Sequence, residues 1–348
     1  MKVIVLAGGI STEREVSIVS GFMICKALRA RGHEAVLMDV FCGNRYTNNC
    51  DIKLNNIEAK ITQLFPDNYN VDDEVAYIRS FNDKIQKIKR KSFFGYNVLE
   101  SCNLADVVFM ALHGDSGENG KVQAVFELLG IKFTGCGMLG SALAMDKELS
   151  RQLFMINGIP IPPGMSLKIN DERKPAKENE IGLPCVVKPC CGGSSVGVMI
   201  AHTEEEYSIA LKNAFKYEER IIVEKYIKGR EFSVGIVNGQ VYPVIEIEPV
   251  EGFYNYHNKY HKGATLETCP AELSKEKTLE IQNYTKIAYE ALRINCYARI
   301  DFLMSEKGEI FCLEANTLPG MTPTSLIPKE AKVLGMEYED FCEYLLYL

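Results

Sequence analysis

The chain opens on an apolar run in "KVIVLAGG" that closes at Gly8-Gly9. Its length and flanking glycines predict a buried β-strand ending in a tight turn. In "STEREVSIVSGFMICKALRARG" the spacing changes. Ile18, Met23 and Leu28 with their neighbours form a helical stripe that ends at Gly32, with Ser11 or Thr12 as cap and Glu13 and Glu15 in the first turn. "HEAVLMDV" is the next strand. Strand, glycine turn, helix and strand in that order predict a parallel, Rossmann-like α/β unit. Residues 42–103 then lose the apolar rhythm and read as a polar, Asn/Lys-rich insertion, with helical spacing around "DEVAYIRSFNDKIQKIKR". A buried strand returns over 107–112 and ends at His113-Gly114.

Farther along, residues 121–135 read as helix then strand, and 138–158 as one helix ending at Gly158. "GLPCVVKPCCGGSSVGVMIA" is strand, loop, strand, "YSIALKNAFKY" a helix, and "ERIIVEKYIKGREFSVGIV" again strand, loop, strand. "VYPVIEIEP" adds a strand, 252–263 a polar aromatic loop, and 273–293 a helix. In "ARIDFLMSEKGEIFCLEAN" two alternating runs flank a turn. A two-residue turn at Lys307-Gly308 puts Asp301 opposite Glu314 and Arg299 opposite Asn316, all on one face. One residue of slip would flip a strand.

Composition narrows the class. With 348 residues, 47% hydrophobic and 24% charged, the chain is ordinary globular protein with room for two or three domains. A formal charge of −7 argues against a nucleic-acid or anionic-membrane partner. The first apolar stretch is too short for a signal-peptide core, and no run approaches the ~20 apolar residues of a membrane span. The expected compartment is the cytoplasm, where the twelve cysteines need no pairing. No C-x-x-C occurs and there are five histidines, so no zinc pattern emerges.

Chemistry concentrates in two places. The hairpin face carries two carboxylates, an amide and an arginine, which suit a hard divalent cation held jointly with phosphates. An exposed face with Arg299 and Asp301 simply paired explains the same pattern. "VVKPCCGGSSVGV" offers Lys188 and a loop of backbone N–H groups and hydroxyls suited to phosphates. It is not a Walker A loop, because the lysine precedes the glycines. His113, at the carboxyl end of a strand, is placed either for a ligand or as a structural histidine.

Eight motifs occur in an order that resembles the D-alanine–D-alanine ligase family of the ATP-grasp superfamily: "GGISTEREVS", "ALHGDSGENG", "SALAMDK", "VVKPCCGGSSVG", "VEKYIKGREF", "FYNYHNKY", "ARIDF" and "LEANTLPGMT". They span residues 3 to about 330 and leave 42–103 uncovered. The resemblance implies three α/β domains: a Rossmann-like one over 1–134, a central ATP-grasp part over 135–226 and a C-terminal part over 227–348. It implies ATP held by Lys147, Lys188, Ser195, Glu224, Lys225, Ile227 and Glu231. It also implies two Mg²⁺, with Mn²⁺ as substitute, on Asp301, Glu314 and Asn316.

Two molecules of D-alanine are the implied substrates, with Glu13 and His113 at the first and Ser325 and Leu326 at the carboxylate of the second. "YNYHNKY" is the implied lid, where Lys259 helps select the second substrate and Tyr260 joins Glu13 and Ser194 in a hydrogen-bonded set. Arg299 and the Gly320 N–H are the implied oxyanion donors, and a homodimer the implied assembly. The sequence departs from the family pattern at Cys191-Gly192 and at His257-Asn258 in the lid. A D-Ala–D-Ser or D-Ala–D-Lac ligase, or a non-catalytic ATP-binding regulator, are the competing readings.

Overall fold

A computed structural model describes residues 1–44, 63–85, 90–193, 195–249 and 265–348. It divides into two compact units, Met1–Met138 with Leu318–Leu348, and Leu139–Thr317.

In the first unit, β1 (Lys2–Ala7), β2 (Glu34–Asp39) and β3 (Val107–Met110) form a parallel sheet in the order β2-β1-β3. Residues 3–7 of the central strand are fully buried, as a continuous apolar run in a parallel sheet requires. Helix α1 (Arg14–Ala30) makes the crossover and packs on β1 and β2. Ser11 does not cap it. Glu13 occupies the cap position without a side-chain bond, and Ser11 Oγ instead donates to the His113 carbonyl at 2.7 Å. Within 42–103 the described helices are α2 (Val71–Arg79), α3 (Asn82–Ile85) and α4 (Val98–Leu104). Beyond β3 come α5 (Asp115–Glu118) and α6 (Lys121–Leu129). The strand expected after α6 reduces to a single bridge, Val108 to Phe133.

The C-terminal helices α11 (Leu326–Val333) and α12 (Tyr338–Leu345) complete this unit. They follow α7 (Met138–Met145), α8 (Lys147–Ile156), α9 (Glu204–Ala214) and α10 (Lys275–Ala291) in the chain. Helix α12 lies along α1, tied by Arg31 to Asp340 and by His33 Nε2 to Glu343 at 2.9 Å. Tyr338 Oη donates to the Met321 carbonyl at 2.8 Å and so holds the 318–325 segment.

The second unit holds two antiparallel sheets. The smaller has the order β4-β7-β5-β6, from β4 (Gly164–Lys168), β5 (Cys185–Pro189), β6 (Met199–Ala201) and β7 (Arg220–Lys225). Its Cys185, Val187, Ile221 and Val223 face helix α9 (Glu204–Ala214) across a dry core. The larger sheet runs β11-β10-β8-β12-β13, with β9 (Gln240–Val241) on β8 (Gly229–Val237). The other members are β10 (Ile245–Pro249), β11 (Thr265–Thr268), β12 (Tyr297–Ser305) and β13 (Ile310–Asn316), and α10 (Lys275–Ala291) covers one face.

The single helix expected over 138–158 is two: α7 (Met138–Met145) and α8 (Lys147–Ile156). Asp146 makes the break. Its backbone is extended and its carboxylate accepts from the Glu148 and Leu149 N–H groups, as an N-cap aspartate does. No helix among the described residues is long and apolar enough to cross a membrane.

Candidate active site

Strand alternation sets the floor of a cleft in the second unit. On the smaller sheet the face away from α9 presents Val186 and Lys188 of β5, Glu224 of β7 paired with Val186, and Ile200 of β6. On the larger sheet β12 pairs with β8 so that Asp301 meets Ser233 and Leu303 meets Glu231. Across β12 and β13, Asp301 faces Glu314 and Arg299 faces Asn316. A cavity of about 200 Å³ is lined by residues of both sheets. Lys147, Lys188, Ser195, Glu224, Lys225, Ile227 and Glu231 line it, as do Asp301 and Glu314.

The register of the four hairpin residues is as expected, but the turn is not. Ser305 N–H reaches the Glu309 carbonyl at 2.8 Å, which leaves a three-residue loop with Gly308 at φ 79°. Alone, that shifts every pair by one. A bulge between Asp301 and Phe302, with Leu313 as the extra residue on β13, shifts the pairs back.

Charge in the cleft is arranged around buried carboxylates. Glu224 is 3% exposed and binds two cations: Lys188 Nζ at 2.7 Å through Oε2, and Arg151 through Oε1. Arg151 also donates to the Pro162 carbonyl at 2.8 Å. Two cations on one carboxylate leave a net positive charge at the floor, which favours an anion above it. The sequence reading missed Arg151. It stands four residues after Lys147 and so on the same side of α8, the signal that points to it.

Lys147, the first residue of α8, donates to the Gly192 carbonyl at 2.7 Å and stands 3.2 Å from Glu314 Oε2. It links the glycine-rich loop to the hairpin. Arg299 grips Asp301 with a two-point fork at 2.8 and 2.7 Å, and Ser233 Oγ donates to the same carboxylate at 2.7 Å. Ser233 is the second residue that sequence reading did not single out. Among the described residues no group of three or more His, Cys, Asp and Glu converges as a self-sufficient metal cage. Two opposed carboxylates beside an amide fit Mg²⁺ of the kind completed by substrate phosphates and water. Asn316 does not line the cavity, although it pairs with Arg299 on the same strands.

The paired cysteines of the loop are free thiols. Burial, then the Glu148 and Asp146 carboxylates, push Cys190 up to about 12. Burial, then Glu218, push Cys191 up to about 12. The Arg220 guanidinium is raised above its ordinary value by its hydrogen bond to Asp146.

The remaining candidates belong to the first unit or lie outside the described residues. Glu13, at the N-cap of α1, and His113, just past β3, are both buried. His113 Nε2 is 3.3 Å from Ser20 Oγ, and Nδ1 is 3.5 Å from Glu118 Oε1. Between Glu13 and His113 sits Gly114 at φ 84°, where a Cβ would lie 2.8 Å from Ser11 Cβ and 3.3 Å from Glu13 Oε2. Ser325 occupies the N-cap position of α11 without a side-chain capping bond and accepts at Oγ from the Thr322 N–H at 3.0 Å; Leu326, next to it, is buried, and Gly320 precedes the turn. Ser194, Lys259 and Tyr260 lie outside the described residues.

Comparison with known proteins covers nearly the whole chain. The family profile described as D-ala D-ala ligase N-terminus matches residues 2–136, and that described as D-ala D-ala ligase C-terminus matches 153–347. The chain is 41% identical to a D-alanine–D-alanine ligase of Pediococcus pentosaceus, over 99% of its own length and 97% of that protein. A crystal structure of D-alanine–D-alanine ligase from Bacillus anthracis complexed with ATP superposes with a TM-score of 0.74 at 28% identity, covering 100% of this chain and 96% of that one. The VanG D-Ala:D-Ser ligase from Enterococcus faecalis superposes with a TM-score of 0.77 at 28% identity, covering 100% and 99%.

Proposed function

The chain belongs to the D-alanine–D-alanine ligase family and has the ATP-grasp fold, and we propose that it joins two D-alanines, with ATP, through an acyl phosphate. The observation that carries the reading is one cleft that gathers a doubly paired Glu224, two lysines and the opposed carboxylates Asp301 and Glu314. That set suits a polyphosphate better than a neutral ligand.

A carboxylate is a poor electrophile, so amide formation needs a better leaving group. The first D-alanine accepts the γ-phosphoryl group, leaving ADP, and the free amine of the second then displaces phosphate. Lys188 and Lys147 are the residues we assign to the phosphates, with Glu224 holding the Lys188 ammonium in place. Of the other residues lining the cleft, we assign the Lys225–Ile227 edge to the base, Ser195 to the phosphates and Glu231 to the ribose hydroxyls. Asp301, Glu314 and Asn316 would hold Mg²⁺, which when bound neutralises charge on the transferring phosphoryl group. Arg299 is assigned to the tetrahedral oxyanion, a role worth ~3 kcal/mol per donor in comparable sites.

In the first unit, Glu13 and His113 are assigned to the first D-alanine, and Ser325 and Leu326 to the carboxylate of the second. The Gly320 N–H, next to the Ser325 hydroxyl, is a donor for developing negative charge. The reading extends to the cytoplasm as the compartment that supplies ATP, to peptidoglycan precursors as the destination of the dipeptide, and to a homodimer, which light scattering would check.

The deciding experiment combines the protein with ATP, Mg²⁺ and D-alanine, measures ADP release and identifies the product by mass spectrometry. D-alanine-dependent ADP release with D-alanyl-D-alanine as product is the expected result. No D-alanine-dependent release overturns it. Faster turnover with D-serine or D-lactate added moves the assignment to an altered-acceptor ligase.

A further inference from the structure

The glycine-rich loop of the cleft is backbone-strained, and its backbone needs outside support. Gly192 and Gly197 stand at φ 115° and 75°, and Ser195, a residue with a Cβ, at φ 59°. A left-handed serine costs roughly 1–2 kcal/mol and persists where its surroundings fix it. The loop's inner side is held from α8: the Lys147 N–H donates to the Cys190 carbonyl at 2.9 Å, and Lys147 Nζ to that of Gly192 at 2.7 Å.

The other side is held by the turn between α9 and β7, which touches both ends of the loop. At the root, the Cys190 N–H reaches the Arg220 carbonyl at 3.3 Å and the Cys191 N–H donates to Glu218 Oε2 at 2.8 Å. At the far end the Tyr217 ring lies against Gly197, where a Cβ would sit 2.8 Å from Cδ2. Tyr217, Glu218, Glu219 and Arg220 also line an open groove with Lys168, Ile169 and Asn170. At the loop root the Glu218 carboxylate holds the Cys191 N–H and Met145 Sδ the Gly192 N–H at 3.4 Å, so Glu218 is the contact from the turn side.

We propose that Glu218 is a positioning residue for the nucleotide: its carboxylate holds the Cys191 N–H and so fixes the root of the loop that borders the cleft. This deepens the function proposed above and rests on the cleft taking ATP. Glu218 itself does not line the cleft, so it acts on ATP through Cys191 and the loop that follows it.

The test compares wild type, Glu218→Ala and Glu218→Gln by calorimetry with ATP and Mg²⁺, by steady-state kinetics, and by hydrogen exchange of the loop amides. Losing a charged acceptor on a backbone N–H is expected to weaken ATP binding about tenfold in the alanine variant. The KM for ATP should rise in step, the KM for D-alanine should stay within twofold, and the Cys191 amide should exchange about tenfold faster. Glutamine keeps an acceptor oxygen and should recover most of the loss. A folded alanine variant that binds ATP like wild type overturns the proposal, as does a parallel rise in both KM values that glutamine does not rescue. A wild-type protein that binds no ATP overturns the proposed function and this inference together.

Discussion

Glu314 and Glu224 stand in the same cleft, yet removing their charges should have opposite kinds of effect, and Glu314 gives the sharper test. The Glu314 side chain is 25% exposed and pairs with Lys147 at 3.2 Å. A partly exposed ion pair of this sort contributes about 1 kcal/mol or less. For a unit the size of Leu139–Thr317, 1 kcal/mol shifts Tm by roughly 2–4 °C. Glu314→Gln keeps the shape and removes the charge, so its melting curve should move by no more than about 4 °C.

Its turnover should not survive in the same way. A carboxylate that holds the divalent cation on the transferring phosphoryl group supports several kcal/mol of transition-state stabilisation. A loss of about 3–4 kcal/mol corresponds to roughly 10²–10³-fold in kcat/KM. The assay is coupled ADP release at saturating D-alanine, with Mg²⁺ titrated at fixed ATP. The half-saturating Mg²⁺ concentration should rise along with the loss of rate. A glutamine variant that melts normally, turns over within a few-fold of wild type and keeps the same Mg²⁺ dependence would refute the assignment of Glu314 as a ligand.

Glu224→Ala should act on stability first. It strands Lys188 and Arg151, both nearly buried, at a cost of about 3–5 kcal/mol, so Tm measured by circular dichroism should drop by about 10 °C; a drop under about 3 °C would contradict the buried-triad account. Gly114→Ala combines a disfavoured φ of 84° with a Cβ 2.8 Å from Ser11 and close to Glu13. It should cost about 1–3 kcal/mol and raise the KM for D-alanine more than that for ATP, and equal changes in both would count against Glu13 as a D-alanine contact. With Cys191 pushed up to about 12, its thiolate forms only as the pH approaches 12, and at pH 8 about one thiol in 10⁴ is ionised. Iodoacetamide or peroxide at pH 8 should leave activity unchanged over an hour, whereas fast inactivation blocked by ATP would show the thiol to be reactive after all.

Much of the fold is legible in the chain because its signals are local. The apolar run at 3–7, the stripe of α1 and the return of apolar residues at 107 fix the parallel unit. The break between α7 and α8 was there to be read as well, since Asp146 followed by Glu148 is a cap inside a helical stretch, but continuous apolar spacing across it masked the signal. The site is less legible where partners are distant. Arg151 meets Glu224 across 73 positions and Cys191 meets Glu218 across 27. Spacing along α8 puts Arg151 on the side of Lys147 but names no partner, and nothing local to Cys191 points to Glu218; the bonds exist because the fold brings distant segments together.

The hairpin shows how a correct pairing can rest on an incorrect turn. Counting from a two-residue loop at Lys307-Gly308 puts Asp301 opposite Glu314, as observed, although the loop has three residues. The extra loop residue alone would pair Asp301 with Leu313 and turn Glu314 toward α10, since each step along a strand changes face. The bulge at Leu313 cancels the shift. Across it, Phe302 still pairs with Cys312, both fully buried, while Leu313 and Glu314 both line the cleft. An apolar strand packed on a helix and a carboxylate facing the cleft make conflicting demands on a strict period of two, and one inserted residue satisfies both. The carboxylate pair assigned to Mg²⁺ thus rests on the bulge, which sets Leu313 aside so that Glu314 meets Asp301.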